Sequence, residues 1–183
     1  MRMLKTVIAF AVATAPAIAW GALDKGATAP DFTATGAFAG KPYTLHLKDQ
    51  LRHGPLVLYF FPKSFTGGCN AEAHSFSEKA ADFKKLGANV IGMSADDQPT
   101  LARFSTEMCQ SAFPVATAAP ATIAAYGVVL KGKDGRDTGL TTRTSYVIAP
   151  DGKIVYVYSD MDATHHADNT LAAVKAWKAS HRG

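Results

Sequence analysis

The chain has 183 residues, 48% of them apolar, 10% aromatic and 19% charged. That length suits one domain with a sizeable core, and the composition excludes a disordered, collagen-like or coiled-coil protein. The formal net charge is +4 at pH 7, and no Lys/Arg cluster interleaves with aromatics, so nucleic-acid binding is not expected.

The first residues read as a leader rather than as part of the fold. Arg2 and Lys5 precede an uncharged apolar run from Thr6 to Ala15, and Ala17-Ile18-Ala19 offers a small-x-small cleavage pattern. Residues 1–19 are therefore expected to be a signal peptide and residues 20–183 a single domain, exported to a bacterial periplasm. Without residues 1–19 the balance is 17 basic against 15 acidic side chains, a net charge of about +2. The apolar run is too short to span a bilayer comfortably, and no longer one follows, so no membrane span is expected once the leader is removed. An uncleaved anchor is the alternative. Export changes how Cys69 and Cys109, the only cysteines, are read. In an oxidising compartment two thiols tend to end as a disulfide unless a reductant maintains them, and only one intramolecular pairing exists.

In chain order, Asp31 to Leu47 reads as a β-hairpin around Gly36–Pro42. Leu56 to Phe61 (LVLYFF) is a continuous apolar run that suits a strand covered on both faces. Gly67-Gly68 marks a turn, and a helix is expected from about Cys69 to Gly87, with Phe76, Ala80 and Phe83 inward. Asn89 to Ala95 reads as a strand, which completes a β-α-β unit with parallel strands. Pro99 fits the first turn of a helix carrying Leu101, Phe104 and Met108 on one face, and a shorter helical piece covers Ala121 to Tyr126. Thr144–Ala149 and Lys153–Tyr158 are strands joined through Pro150-Asp151-Gly152, and a last helix over about Ala163–Ala179 turns Leu171, Val174 and Trp177 inward. This order fits an α/β, thioredoxin-like fold: a central mixed sheet flanked by helices, with an N-terminal hairpin.

The most informative stretch is Phe61-Pro62-Lys63-Ser64-Phe65-Thr66-Gly67-Gly68-Cys69. It places a thiol after a strand, in a turn, at the entrance of a helix, where unpaired N–H groups and the helix dipole favour a thiolate. Phe76, Ala80 and Phe83 follow at 7, 11 and 14 positions, so the sulfur lies over the buried stripe and is expected at the bottom of a pocket.

Here the sequence resembles a known family. Pro62-x-x-x-Thr66-x-x-Cys69 is similar to the signature of the peroxiredoxins, AhpC/TSA-type thiol peroxidases of thioredoxin fold. The flanking LYFFPKSFTGGCNAEAHSF resembles the bacterioferritin-comigratory-protein, or peroxiredoxin Q, branch. Ala29-Pro30-Asp31-Phe32-Thr33, Phe113-Pro114, Ala125-Tyr126-Gly127-Val128 and Arg143-Thr144-Ser145-Tyr146-Val147-Ile148 agree with it. The resemblance covers about residues 23–178 and implies a thiol-dependent peroxidase serving antioxidant defence. Cys69 would be the peroxidatic thiolate, Thr66 would hold the peroxide through its hydroxyl, Pro62 would shield the nucleophile, and Arg143 would bring positive charge to sulfur and the departing oxygen. The sulfur would become a sulfenic acid. Where some members carry a resolving cysteine five residues on, this chain has His74. Cys109 is then the candidate resolving residue, and a one-cysteine enzyme reduced directly by an outside thiol is the alternative. If Cys69 is recessed, bonding the two sulfurs requires the first turn after Cys69, and the last turn around Cys109, to unwind. The partners implied are a peroxide and a thioredoxin-like or low-molecular-weight thiol. No cofactor or metal is implied, and the chain is expected to be a monomer or weak dimer.

Blander readings accompany each residue. The two cysteines alone would be a structural disulfide, worth roughly 4 kcal/mol for a loop of about 40 residues. Pro62 and Thr66 alone are turn residues, and Arg143 alone a solvated charge. Glu72 reads as an N-terminal capping carboxylate. His165 and His166 are adjacent and diverge on a helix, so no joint metal site is expected; His74 carries no assigned chemistry, and Tyr156, Tyr158 and Trp177 read as strand or core aromatics. An exported thioredoxin-like disulfide oxidoreductase would need Cys-x-x-Cys, where this chain has Cys69-Asn70-Ala71-Glu72. A non-enzymatic thiol- or copper-binding module would need a cysteine pair beside histidine.

Overall fold

The computed structural model describes residues 21–181, so the expected leader, residues 1–19, lies outside the described residues. Strands β1 (Thr33–Phe38) and β2 (Lys41–His46) form the expected hairpin, with Thr33 opposite His46 and Phe38 opposite Lys41. Its turn is at Ala39-Gly40, where φ is 49° and 75°, and not across Gly36–Pro42. Gly36 lies within the strand opposite Tyr43. It is needed there because a Cβ would sit 2.0 Å from the carbonyl oxygen of Val115 on a neighbouring strand.

The chain continues through α1 (Leu47–Leu51), β3 (Leu56–Phe60), α2 (Gly67–Lys85), β4 (Asn89–Ser94) and α3 (Gln98–Glu107). It then forms β5 (Val115–Thr117), α4 (Pro120–Ala125), β6 (Val129–Lys131), β7 (Asp137–Thr141), β8 (Thr144–Ile148), β9 (Ile154–Ser159) and α5 (His166–Ser180). Seven strands make one mixed sheet in the order β2-β1-β5-β4-β3-β8-β9, and β6 and β7 form a separate ribbon. β3 runs parallel to β4, as the right-handed β-α-β crossover requires, and antiparallel to β8. The β8–β9 hairpin turns through Gly152 at φ 83°.

All five residues of β3 are buried, and their alternation divides the core. Val57 and Tyr59, with Phe61 just beyond, join Phe76 and Phe83 of α2, Leu101 and Phe104 of α3, and Leu171 and Val174 of α5. Leu56, Leu58 and Phe60 join Leu47 and Leu51 of α1 and Ile123 of α4 on the opposite face. Each such side chain contributes roughly 1.5–3 kcal/mol of burial. Tyr59 stacks on Phe76 with centroids 4.3 Å apart, and Phe61 on Phe104 at 5.2 Å. Helix α2 ends as its sequence directs, with Gly87 at φ 76° after the cap. In α3, Asp97 caps by accepting from Thr100 N–H at 2.9 Å, ahead of Pro99.

Three inward assignments are weaker than expected: Ala80, Met108 and Trp177 are only half-buried. Met108 caps α3, and Trp177 stacks on His181 near the end of α5, where fewer elements cover it. Among the described residues no helix is long and apolar enough to cross a membrane.

Candidate active site

The segment between β3 and α2 is held before any chemistry enters. Phe61 N–H reaches Met93 C=O at 2.9 Å, prolonging the sheet by one bond. Ser64 N–H donates to Asp96 Oδ2 at 2.7 Å, and Ser94 Oγ donates to the same oxygen at 2.8 Å. Phe65 adopts φ 63°, a conformation costly for a bulky side chain. Its ring meets Phe104 edge-on at 5.4 Å and lies 5.0 Å from the Arg103 guanidinium carbon. The chain thus enters α2 from an extended Thr66 at φ −95°, ψ 151°.

The first helical bond runs from Asn70 N–H to Thr66 C=O at 2.8 Å. The N–H groups of Gly67, Gly68 and Cys69 are therefore the orphan donors of the first turn, at the positive end of a 19-residue helix. Cys69 is recessed, 2% exposed, beneath exposed Thr66, Gly67 and Gly68; the two glycines are the first residues of α2 and not the turn expected before it.

Arg143 reaches this thiol from the segment between β7 and β8. Its Nη2 is 3.5 Å from Cys69 Sγ, and its Nε donates to Met161 C=O at 3.0 Å. Gly68 makes room for it: a Cβ there would lie 3.1 Å from Nη2. The third arm of the guanidinium, Nη1, pairs with Glu72 Oε2, and both side chains are buried. Glu72 is thus not a helix-capping carboxylate. It lies one turn past Cys69 on the buried stripe, where it faces Arg143 instead of the helix's own N–H groups. Burial pushes the Glu72 carboxyl up to about 8, the pull of Arg143 offsetting only part of the effect. Burial works against the charge of Arg143, but Glu72 and the Cys69 sulfur outweigh it, and its pKa stands above the ordinary value.

Cys109 lies just past α3, fully buried in the same apolar cluster as Cys69, Tyr59 and Phe76. The two sulfurs are not bonded. Cys109 N–H bonds Phe104 C=O at 3.0 Å, and its carbonyl accepts from Ser77 Oγ of α2 at 2.9 Å. Gln110 and Ser111 follow with φ of 51° and 57°, and Gln110 Nε2 is 3.1 Å from His74 Nδ1. His74 therefore helps tie the two cysteine-bearing segments together. Burial pushes the Cys109 thiol far up. The Tyr59 hydroxyl offsets this a little from nearby, although that hydroxyl makes no well-formed hydrogen bond.

Of the expected site residues, the fold brings Arg143 directly to Cys69. Thr66 stands at the helix entrance with its hydroxyl donating to Lys63 C=O at 3.0 Å, and Pro62 is half-buried two residues beyond β3. The adjacent histidines diverge, His165 outward and His166 into the core. His166 contacts Ser145 Oγ through Nδ1 at 2.8 Å and lies 3.6 Å from Glu72 Oε1. Sequence reasoning missed the inward role of Glu72, although a glutamate three residues after Cys69 and four before Phe76 falls on the buried face. Two clefts, one lined by Phe38, Tyr43 and Phe83 and one by Val155 and Trp177, lie away from Cys69.

Fold and site together define a thioredoxin-like domain with a recessed cysteine at a helix N-terminus beside a buried guanidinium. The AhpC/TSA family model matches residues 25–157, and the chain belongs to that family. Peroxiredoxin Bcp of Xanthomonas campestris is 31% identical over 123 residues, 66% of this chain and 76% of that protein. Mouse peroxiredoxin-2 is 32% identical over 160 residues, 84% of this chain and 78% of its own. The crystal structure of peroxidoxin BcpB from Mycobacterium tuberculosis superposes with a TM-score of 0.70 at 33% identity, covering 83% of this chain and 96% of that one. The chain falls in the Bcp/peroxiredoxin Q-like branch, and by class it is a peroxidase.

Proposed function

We propose that Cys69 reduces hydrogen peroxide or organic hydroperoxides, that Cys109 resolves the product as an intramolecular disulfide, and that an external thiol recycles it. The observation that carries the reading is Arg143 Nη2 at 3.5 Å from a recessed Cys69 Sγ at the start of α2. The thiolate attacks one peroxide oxygen, a sulfur–oxygen bond forms, and the O–O bond breaks. The sulfenic acid keeps the hydroxyl, and the departing oxygen leaves with the electron pair and takes a proton from solvent. Arg143 and the first-turn N–H groups stabilise that developing charge. Thr66 supplies a hydroxyl at the entrance, and Pro62 limits water access.

Cys109 thiol then condenses with the sulfenic acid and releases water, and a thioredoxin-like or low-molecular-weight dithiol reduces the disulfide. Both sulfurs are buried on separate elements, and a disulfide needs Cα atoms within about 7 Å. The first turn of α2 and the Cys109–Ser111 turn unwind to meet that limit. Consecutive left-handed residues at Gln110 and Ser111 favour opening there. The leader directs the protein out of the cytoplasm, which an intact mass beginning near residue 20 in a periplasmic extract checks.

The test is peroxide-dependent turnover with an added dithiol. Cys69→Ser is inactive. Cys109→Ser forms the sulfenic acid once and then stalls or over-oxidises, as mass spectrometry of Cys69 reads directly. Full dithiol-dependent turnover by Cys109→Ser removes the resolving role and makes this a one-cysteine enzyme. A reduced wild type that leaves both peroxide classes untouched removes the whole reading.

A further inference from the structure

His166, the first residue of α5, is fully buried behind the Glu72–Arg143 pair. Its Nε2 lies 2.9 Å from the carbonyl oxygen of Asp160. A carbonyl only accepts, so Nε2 carries a hydrogen, and the neutral ring must offer Nδ1 as a lone pair. Nδ1 faces Ser145 Oγ at 2.8 Å and Glu72 Oε1 at 3.6 Å. Glu72 Oε1 is itself buried without a hydrogen-bond partner. Ser145 can donate to that lone pair, but a carboxylate oxygen at Oε1 would stand bare in a site closed to solvent. One proton held by the pair, on the carboxyl itself or on Nδ1 between Ser145 Oγ and Glu72 Oε1, removes that bare charge.

We propose that His166, supported by Ser145, is a positioning residue for the peroxidase reaction: it shares one proton with Glu72, so the pair stays neutral and Arg143 keeps its positive charge uncompensated beside Cys69. Ser145 serves either form of the ring, since its hydroxyl donates to a neutral Nδ1 and accepts from a protonated one.

The groups around the ring pull on the proton in opposite directions. Burial and Arg143 disfavour an imidazolium, while Asp160 and Asp162 in the loop before α5 favour one, and the balance lowers the His166 pKa. Tyr158 of β9 covers the ring edge-on at 4.7 Å and adds no charge at neutral pH. From α2, Glu72 is raised to about 8 by burial. An acid pushed up opposite a base pushed down leaves the proton on the carboxyl, while the Ser145 hydroxyl serves Nδ1. Loss of that proton places a full negative charge against Nη1 of Arg143 and weakens the field at Sγ and at the departing oxygen.

The inference rests on the peroxidase reading, and two measurements separate their failures. In reduced wild-type protein labelled with ¹⁵N-histidine, His166 Nε2 remains protonated from pH 6 to 9.5. Nδ1 shifts once, with a midpoint near 8, as the shared proton leaves. An Nδ1 resonance flat across that range overturns the proposal, whatever the protein does with peroxide.

The second measurement is the pre-steady-state rate of Cys69 oxidation by hydrogen peroxide against pH, with iodoacetamide alkylation as a peroxide-free counterpart. Wild type loses rate above pH 8. His166→Asn cannot share the proton, so its decline begins at lower pH and its rate at pH 7 falls about three- to tenfold, tenfold corresponding to one pH unit. Ser145→Ala moves the decline in the same direction by less. A uniform loss of rate with an unmoved decline marks His166 as mere packing and overturns the proposal.

Discussion

Replacing Glu72 by glutamine tests the electrostatics of the site most directly, because the amide keeps the shape and cannot ionise. Glu72 is fully buried, and its pKa rises from 4.5 to about 8 on folding. A folded-state pKa above the unfolded one means that the native protein binds the proton more tightly. The associated stability is fully present below pH 4.5 and is lost as pH climbs through 8. At 1.36 kcal/mol per unit the ceiling is about 5 kcal/mol, of which roughly 3 has gone by pH 7. Glu72→Gln has no such term, so subtracting its curve from that of wild type isolates this one carboxyl. Urea unfolding at intervals from pH 5 to 8.5 should show the variant gaining on wild type by about 2 kcal/mol or more across that range. Parallel curves, or wild type gaining on the variant as pH rises, would refute the reasoning. Either result would mean that Arg143 overcomes burial and holds Glu72 ionised.

Three further outcomes follow from the same geometry. Arg143→Gln removes the donor beside Sγ, and the second-order rate with hydrogen peroxide should fall about 10²–10³-fold; a loss under fivefold would take Arg143 out of the reaction. Gly68→Ala places a methyl 3.1 Å from Arg143 Nη2, so the guanidinium must yield. Peroxide reactivity should drop roughly tenfold, as for other small misplacements, while urea stability stays within about 1 kcal/mol because alanine suits a helix better than glycine. Tyr59→Phe deletes a buried hydroxyl that lacks a hydrogen-bond partner. It should raise the unfolding free energy by about 1 kcal/mol, and a loss of that size would show that the hydroxyl is bonded after all, to the Cys109 sulfur.

The elements with strong local signals were legible in advance. The β3 run declared a strand buried on both faces, and the division of Val57 and Tyr59 from Leu56 and Leu58 between two clusters follows from strand alternation alone. Pro99 and Gly87 punctuated α3 and α2 through backbone conformation, which tertiary packing left unchanged. Short strands were harder. β5 has three residues, and it exists because β1 and β4 flank it, not because Val115–Thr117 has a pattern of its own. Gly36 misled for a related reason: it read as a turn signal, whereas it admits the backbone of β5. The ribbon of β6 and β7 is largely exposed and carries no apolar alternation to betray it.

The sequence by itself determined that a cysteine would stand at the first turn of a helix entered from a buried strand. It also set the family to which that arrangement is similar, because both depend on spacing along one continuous stretch. Tertiary structure alone decided what surrounds that sulfur. Arg143 comes from 74 positions away, Glu72 turns inward rather than capping its helix, and His166 closes the set from α5. Charge, burial and hydrogen bonding act through space, and no periodicity along the chain records which distant side chains the sheet will bring together.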